Sequence, residues 1–431
     1  MTDPPAAAPV PAHEDGIEVE WQFDALDLRP VERWLAALPA PAGSGAGTGN
    51  APGVDGRAAA SPTVMAKPPR RLVDRYLDTA DWRIARAGFV LRTRSRGRHD
   101  EVTLKDTRPA GPDGLRRRLE VSEPLADGGV EALGDGGPVA RRLAAVAGRR
   151  PFRQVLEVRT RRRPYSLRVG DEEVAEVALD DTVITSGPGD QPVRLRRVEV
   201  EVVPAWAKEL EPMVGELQRS SGLQPATLSK FEAGLMALGI QVPGPPELGP
   251  TDVSPRSTLG DLALAVVRTH LAVLLAREPG TRLGEDIEEL HDMRVASRRL
   301  RAAFDLFADA LPVRAQAMRG ELRWVAGVLG RVRDLDVQIE RLAEMEAWAP
   351  GGEGDRSPLA ELRVLLEAQR AAARRDLVAA LDSPRWERLV AGLVAMVQHG
   401  QRRRLPAARS AAALAVPDLV TPRHRAVVKA A

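Results

Sequence analysis

Between Gly16 and Gly239 apolar and charged residues alternate in short runs bounded by turn residues, the pattern antiparallel strands require. After Ser257 the period lengthens to that of a helix. Two stretches break the pattern, Pro39 to Pro62 and Val242 to Ser257, both rich in Pro, Gly and small residues. The first has strand patterns on both sides and too few large apolar residues to pack, so it is expected to be a disordered insertion within one domain. The second is expected to be a linker. The predicted division is a disordered leader at 1–15, a β domain at 16–241 interrupted at 39–62, a linker at 242–257 and a helical domain at 258–431.

Residues two apart on a strand share a face. That rule groups Glu18 with Glu20, Arg92 with Arg94, and Glu101 with Thr103 and Lys105. It also groups Arg116 with Arg118 and Glu120, Glu157 with Arg159 and Arg161, Glu176 with Asp180, and Glu199 with Glu201. A half-buried sheet that turns these charges to water would show the same alternation on any one strand. Several of the faces are purely acidic and one is purely basic. A sheet closed with these faces inward would form a charged tunnel, acidic pairs suiting Mg²⁺ or Mn²⁺ and arginines suiting phosphate oxygens.

Composition narrows the chemistry. The 431 residues suffice for two or three domains, and a net charge of +2 forces no anionic partner, so any basic site must come from segregation of charge. Cysteine is absent, which excludes disulfides and thiolate ligands, fits a reducing cytoplasmic compartment and leaves metal chemistry to carboxylates. The opening MTDPPAAAPVPAHEDG lacks the form of a secretory signal. The apolar stretch Leu262 to Ala276 carries Arg268 and His270 and is read as a packed helix rather than a membrane span.

The opening Glu18-Val19-Glu20, the block YLDTADWRIARAGFVLRTRS from Tyr76 to Ser95, EVTLK, AEVALDD from Ala175 to Asp181, VEVEV from Val198 to Val202 and LSKFEAGL from Leu228 to Leu235 together resemble the CYTH domain of triphosphate tunnel metalloenzymes. The resemblance implies an eight-stranded antiparallel barrel around a tunnel and metal-dependent hydrolysis of inorganic triphosphate or a related triphosphate. Carried over by motif, Glu18, Glu20, Glu199 and Glu201 would be metal-side carboxylates, joined by Glu176 and Asp180. Glu18 and Glu20 would serve catalysis, and Arg92, Arg94, Lys105 and Arg161 would contact phosphates. The family signature is E-x-E-x-K, and Gln22 stands at its lysine. Two readings therefore stay open, an active triphosphatase and a non-catalytic polyphosphate-binding protein whose barrel has lost hydrolysis.

Within HDMRVASRRLRAAFDLF, at about 100° per residue, His291, Arg294, Arg298 and Arg301 fall in an arc of roughly 80°, opposite Met293, Leu300, Phe304 and Phe307. A charged helix face is ordinarily just solvated, but no acid lies from Met293 to Phe304 to pair with these cations. Downstream, Arg333 precedes Asp334, and Gly327 and Gly330 would allow close helix packing or weaken a surface helix. With Arg333-Asp334-Leu335-Asp336-Val337, these residues resemble the CHAD domain, an all-helical module. The resemblance implies inorganic polyphosphate as a partner, contacted by His291, Arg294, Arg298, Arg301 and Arg333. That family's second basic motif has no convincing copy here, Arg402 to Arg404 and His424 matching poorly. The helical domain is thus expected to be shortened, with apolar faces that a homo-dimer would cover. Arginine and phosphate also suit RNA, but two Tyr and six Phe leave few stacking platforms, which argues against nucleic acid.

Overall fold

The computed structural model describes residues 16–40, 62–348, 358–399 and 405–430, apart from breaks at 97–98, 108, 110, 112, 126–128, 134–135, 188, 190 and 313. The expected leader, nearly all of the expected insertion and Arg402 to Arg404 lie outside the described residues. The chain divides into two compact units, Met1–Pro243 and Gly244–Ala431.

The first unit contains β1 (Ile17–Asp24), β2 (Thr63–Ala66), β3 (Arg70–Thr79), β4 (Phe89–Arg96), β5 (His99–Asp106), β6 (Leu115–Leu125), β7 (Phe152–Val169), β8 (Glu172–Thr185), β9 (Val193–Val202) and β10 (Gln224–Pro225). With them stand helices α1 (Arg29–Ala37), α2 (Arg83–Arg86), α3 (Pro138–Val146), α4 (Ala207–Ser221) and α5 (Lys230–Ala237). The strands pair antiparallel in the order β1-β6-β5-β4-β3-β7-β8-β9, and β9 returns to β1 through Glu20 opposite Glu201 and Asp24 opposite Arg197. That return closes the sheet. Of ten strands, β2 and β10 lie off the ring, which leaves a closed eight-stranded antiparallel barrel.

Closure leaves two faces to every strand, and most of the apolar core lies outside the ring. Trp21 and Phe23 of β1, Val177 and Leu179 of β8 and Val198 and Val200 of β9 point outward and pack under Val31 and Leu35 of α1 and Leu210, Val214 and Leu217 of α4. On the opposite side α3 lies against β5 and β6, and α2 against β3 and β4. The charged alternate positions therefore face inward.

One end of the barrel is filled. Phe231 and Leu235 of α5 enter between the walls and pack on Tyr76, Leu156, Val158 and Ile184, with Val193 and Leu195 beside them. The fit is tight at Gly234, where an added Cβ would lie 2.9 Å from Leu156 Cδ1 and 3.0 Å from Ile184 Cγ2. The helix begins at a capping box, Ser229 accepting from the Glu232 N–H while the Glu232 carboxylate accepts from the Ser229 N–H.

The second unit is all helical, with α6 (Leu259–Leu283), α7 (Ile287–Leu306), α8 (Arg314–Trp348), α9 (Pro358–Leu381), α10 (Pro384–His399) and α11 (Ala412–Ala430). Leu271, Met293, Leu300, Phe304, Leu329, Leu377 and Leu393 meet in one apolar core. A Thr258–Asp261 capping box starts α6, and Gly284, at φ +68°, ends it in the left-handed conformation that glycine adopts without strain. Buried Arg282 then ties this end to α9, donating to the Asp382 carboxylate and the Leu381 carbonyl, each at 2.7 Å. At 25 residues α6 is longer than its most apolar stretch and, by length and composition, sufficient to cross a membrane; half of its most apolar window is buried in the unit.

Candidate functional site

Each inward position inherits its neighbours from the strand register. Glu20 of β1 stands opposite Glu201 of β9, which stands opposite Glu176 of β8, so three carboxylates form one row across three strands. The next row holds Gln22, Glu199 and Ala178. From the other strands, β3, β4, β5 and β6 supply Arg70, Arg92, Arg94, Lys105 and Arg118 to a cavity of about 810 Å³. Acid and base thus share one space, with Asp74, Glu101 and Glu120 among the cations and Arg162 and Lys230 beside the carboxylates.

Most of these charges are paired. Glu18 accepts from Lys105 and from Arg118 at 3.0 Å, and Arg118 also reaches Glu20. Arg94 grips Asp74 with two bonds of 2.6 and 2.8 Å. Arg162 grips Asp180 likewise, at 2.9 and 2.7 Å, and meets Glu199, which Lys230 of α5 also holds at 2.8 Å. Burial would raise the Glu18 and Glu199 carboxyls, but Lys105 and Arg118 hold Glu18, and Lys230 and Arg162 hold Glu199, well below the usual carboxylate range. Glu20 and Glu120 go the other way, pushed up to about 7 by burial and by the neighbouring Glu18 charge. The Gln22 Oε1 and the Arg92 Nε are buried without a hydrogen bond, while the Gln22 Nε2 donates to Glu20 at 2.7 Å.

The expected residues divide by this geometry. Glu18, Glu20, Glu176, Glu199, Glu201, Arg92, Arg94 and Lys105 line the cavity. Asp180 faces inward but is fully buried beneath Arg162 and Lys230, where it serves as their counter-charge. Arg161 is exposed on the outer face, so the expectation that it contacts substrate is corrected, and Glu157 and Arg159 lie outside with it. The lumen position on β7 is Arg162. Arginines 161, 162 and 163 are consecutive, so alternation cannot fix the phase there. Further along β7 the inward residues Leu156 and Val158 are apolar because α5 covers them, which makes the inner face look like an outer one. Lys230 was also missed, although it lies within the LSKFEAGL run.

The donor chemistry of the lumen fits a hard divalent cation. Glu20, Glu176 and Glu201 form an all-oxygen row, the unpartnered Gln22 Oε1 lies one row away, and burial and the Glu18 charge raise the Glu20 carboxyl despite Arg118, which a cation would reverse. In the arrangement described, the carboxylates turn toward side-chain cations, and no three carboxylate or histidine groups among the described residues converge on one point.

In the helical unit, α7 carries His291, Arg294, Arg298 and Arg301, and α8 carries Arg333. Arg298 is exposed and the others are half-buried. Arg294 lies 3.9 Å from Asp334 and over Gly330, where an added Cβ would sit 3.8 Å from its Nε. Gly327 has nothing within 4 Å of its own Cβ position. The His291 Nδ1 and the Arg333 Nη1 are buried without a hydrogen bond. His270 of α6 is held below its ordinary value by burial and by Arg299 of α7.

Residues 52–235 match the model of the CYTH domain, and residues 265–431 match that of the CHAD domain. β1, which closes the ring, precedes the first matched stretch. No curated protein matches the chain in sequence. Among similar solved structures is HpAC1 from Hippeastrum, described as an adenylyl cyclase with a dominant triphosphatase activity, at 15% identity over 52% of this chain and 98% of that one, TM-score 0.36. Another is the PH1819 protein of Pyrococcus horikoshii, at 16% identity over 51% of this chain and 99% of that one, TM-score 0.31. The capping-enzyme triphosphatase of Mimivirus is similar at 11% identity over 48% of this chain and 91% of that one, TM-score 0.27. The domain matches identify the chain as a CYTH domain followed by a CHAD domain.

Proposed function

We propose that the barrel hydrolyses a phosphoanhydride bond of inorganic triphosphate or a related triphosphate, and that the helical domain binds inorganic polyphosphate. The observation that carries the first part is one buried lumen that holds a carboxylate row on β1, β8 and β9 together with the cations Arg92, Arg94, Lys105 and Arg118 of β4 to β6. Arg92, whose Nε has no partner, and Lys105 are placed to bind phosphate oxygens, with Arg94 oriented by Asp74 beside them. Glu20, Glu176 and Glu201 would hold Mg²⁺ or Mn²⁺, which when bound supplies charge neutralisation at the phosphoryl oxygens. Glu120 stands between Arg92 and Lys105 and titrates near neutrality, so its carboxylate is the proton acceptor offered to an attacking water. The water oxygen bonds to phosphorus, the anhydride P–O bond breaks, and its electron pair leaves with the departing phosphate.

Phosphate release from triphosphate, longer polyphosphate, nucleoside triphosphate and thiamine triphosphate, with and without Mg²⁺ or Mn²⁺, tests this reading. Metal-dependent release that Glu20→Gln with Glu201→Gln abolishes in a folded protein is the expected result. Gln22 favours a second reading, since a neutral amide replaces the lysine of E-x-E-x-K beside the carboxylate row. Triphosphate binding without phosphate release under any of these conditions would establish it. For the helical domain, Arg294→Ala with Arg298→Ala is expected to weaken polyphosphate binding and flatten its salt dependence. Equal affinity would mean a merely solvated face.

A further inference from the structure

The phase of β7 that removes Arg161 from the lumen places it on a basic outer surface. Helices α1 and α4 cover the outward face of β8 as far as Leu179, and beyond it Asp181 and Val183 are only half-buried. In that uncovered region one cross-strand row runs Arg196, Asp181, Arg161 and Arg71 over β9, β8, β7 and β3. A second row, two residues along, holds Arg194 and Arg159 on either side of Val183. With adjacent strands about 4.8 Å apart, the first row spans roughly 14 Å. All five arginines are exposed.

Arg159 pairs with Glu157 and Arg196 donates to the Leu26 carbonyl, each at 2.8 Å, but the other three depart from the pairing habit of the barrel. Arg75 stands opposite Glu157, Arg94 opposite Asp74 and Arg162 opposite Asp180, and each makes the ion pair. Arg71 instead stands directly opposite Arg161, an arrangement that costs stability in a sheet. Arg71, Arg161 and Arg194 make no ion pair among the described residues. Arg70 and Arg162 repeat the like-charge pairing inside, but there Asp180 and Glu199 compensate.

We infer that this outer ladder is a docking surface for a linear inorganic polyphosphate chain, separate from the lumen and from the basic face of α7. Guanidinium forks one strand apart at Arg71 and Arg161, and two strands apart at Arg161 and Arg196, match a ligand that carries charge at every repeat along its length. Val73 and Val183 separate the arginines and no aromatic ring stands in these rows, so the surface offers phosphate contacts without a platform for stacked bases. The inference does not depend on hydrolysis in the lumen.

The test uses the full chain carrying Arg294→Gln and Arg298→Gln, to remove the helical contribution, with and without Arg71→Gln, Arg161→Gln and Arg194→Gln. Binding of long-chain polyphosphate is measured at several salt concentrations. The expected result is roughly tenfold weaker binding in the outer-face variant and a slope of log K against log salt shallower by about two, as loss of three phosphate contacts predicts. An unchanged melting temperature would assign that loss to the surface rather than to unfolding. Unchanged affinity and slope would overturn the inference. So would displacement of polyphosphate from the parent by single-stranded RNA at equal phosphate concentration, which would make the surface a general polyanion site.

Discussion

Glu20 and Glu120 are the residues whose chemistry is most sensitive to conditions. Both titrate near 7 in the folded protein against 4.5 in the unfolded chain, so the folded state binds more protons between those values. Their contribution to stability is fully present below about pH 4.5 and lost as pH rises through about 7, on the order of 1–3 kcal/mol for each group. Denaturant unfolding of the chelator-treated protein is expected to show stability falling from pH 5.5 to 8, with a flatter profile in Glu20→Gln; a parent profile that rises over this range would contradict it. Gln22 offers a second test, because a lysine there would stand beside Glu20 and would remove the buried, unpartnered amide oxygen. One charge-assisted contact is worth about 1.5 to 3 kcal/mol, so Gln22→Lys is expected to tighten triphosphate binding or speed its hydrolysis roughly tenfold or more. No change in either, in a folded protein, would count against the lumen as the phosphate site. The inward glutamates and Arg92, Arg94 and Lys105 were legible in the sequence because each strand alternates charge with bulk apolar residues. Pairing was not: nothing local to Asp180 reveals that Arg162 and Lys230 bury it.

At the scale of elements, the strands could be read from alternation and the helices from their longer period, but the position of α5 could not. KFEAGLMA has too short an amphipathic stretch to say what it packs against, and only the structure places Phe231 and Leu235 within the end of the barrel. That placement is also what obscured β7, since a strand whose inner face is partly apolar loses the signal that distinguishes its two sides. Gly234 is the closest point of approach. Gly234→Val is expected to destabilise the protein by about 1–3 kcal/mol through overpacking against Leu156 and Ile184, measured by urea unfolding. Gly244→Val serves as the comparison, since an added Cβ there meets nothing within 4 Å and a loss within about 0.5 kcal/mol is expected. Equal losses at the two positions would mean that α5 yields to the larger side chain.

At the scale of the molecule, the change of period after Ser257 marked two domains in the sequence, and two compact units meet at Pro243 and Gly244. In the first unit the usual arrangement is turned inside out, with much of the apolar core outside the barrel wall and the ionic groups within it. The filling of one barrel end by α5 then bears on traffic. On the proposed activity, substrate and product would share the end that α5 does not fill, and a departing phosphate group would have to clear the passage before the next substrate enters. Steady-state rates with added orthophosphate or pyrophosphate are therefore expected to show inhibition competitive with triphosphate, raising KM while leaving kcat unchanged. Inhibition that lowers kcat alone would mean that product and substrate occupy the barrel together, which calls for a second way out.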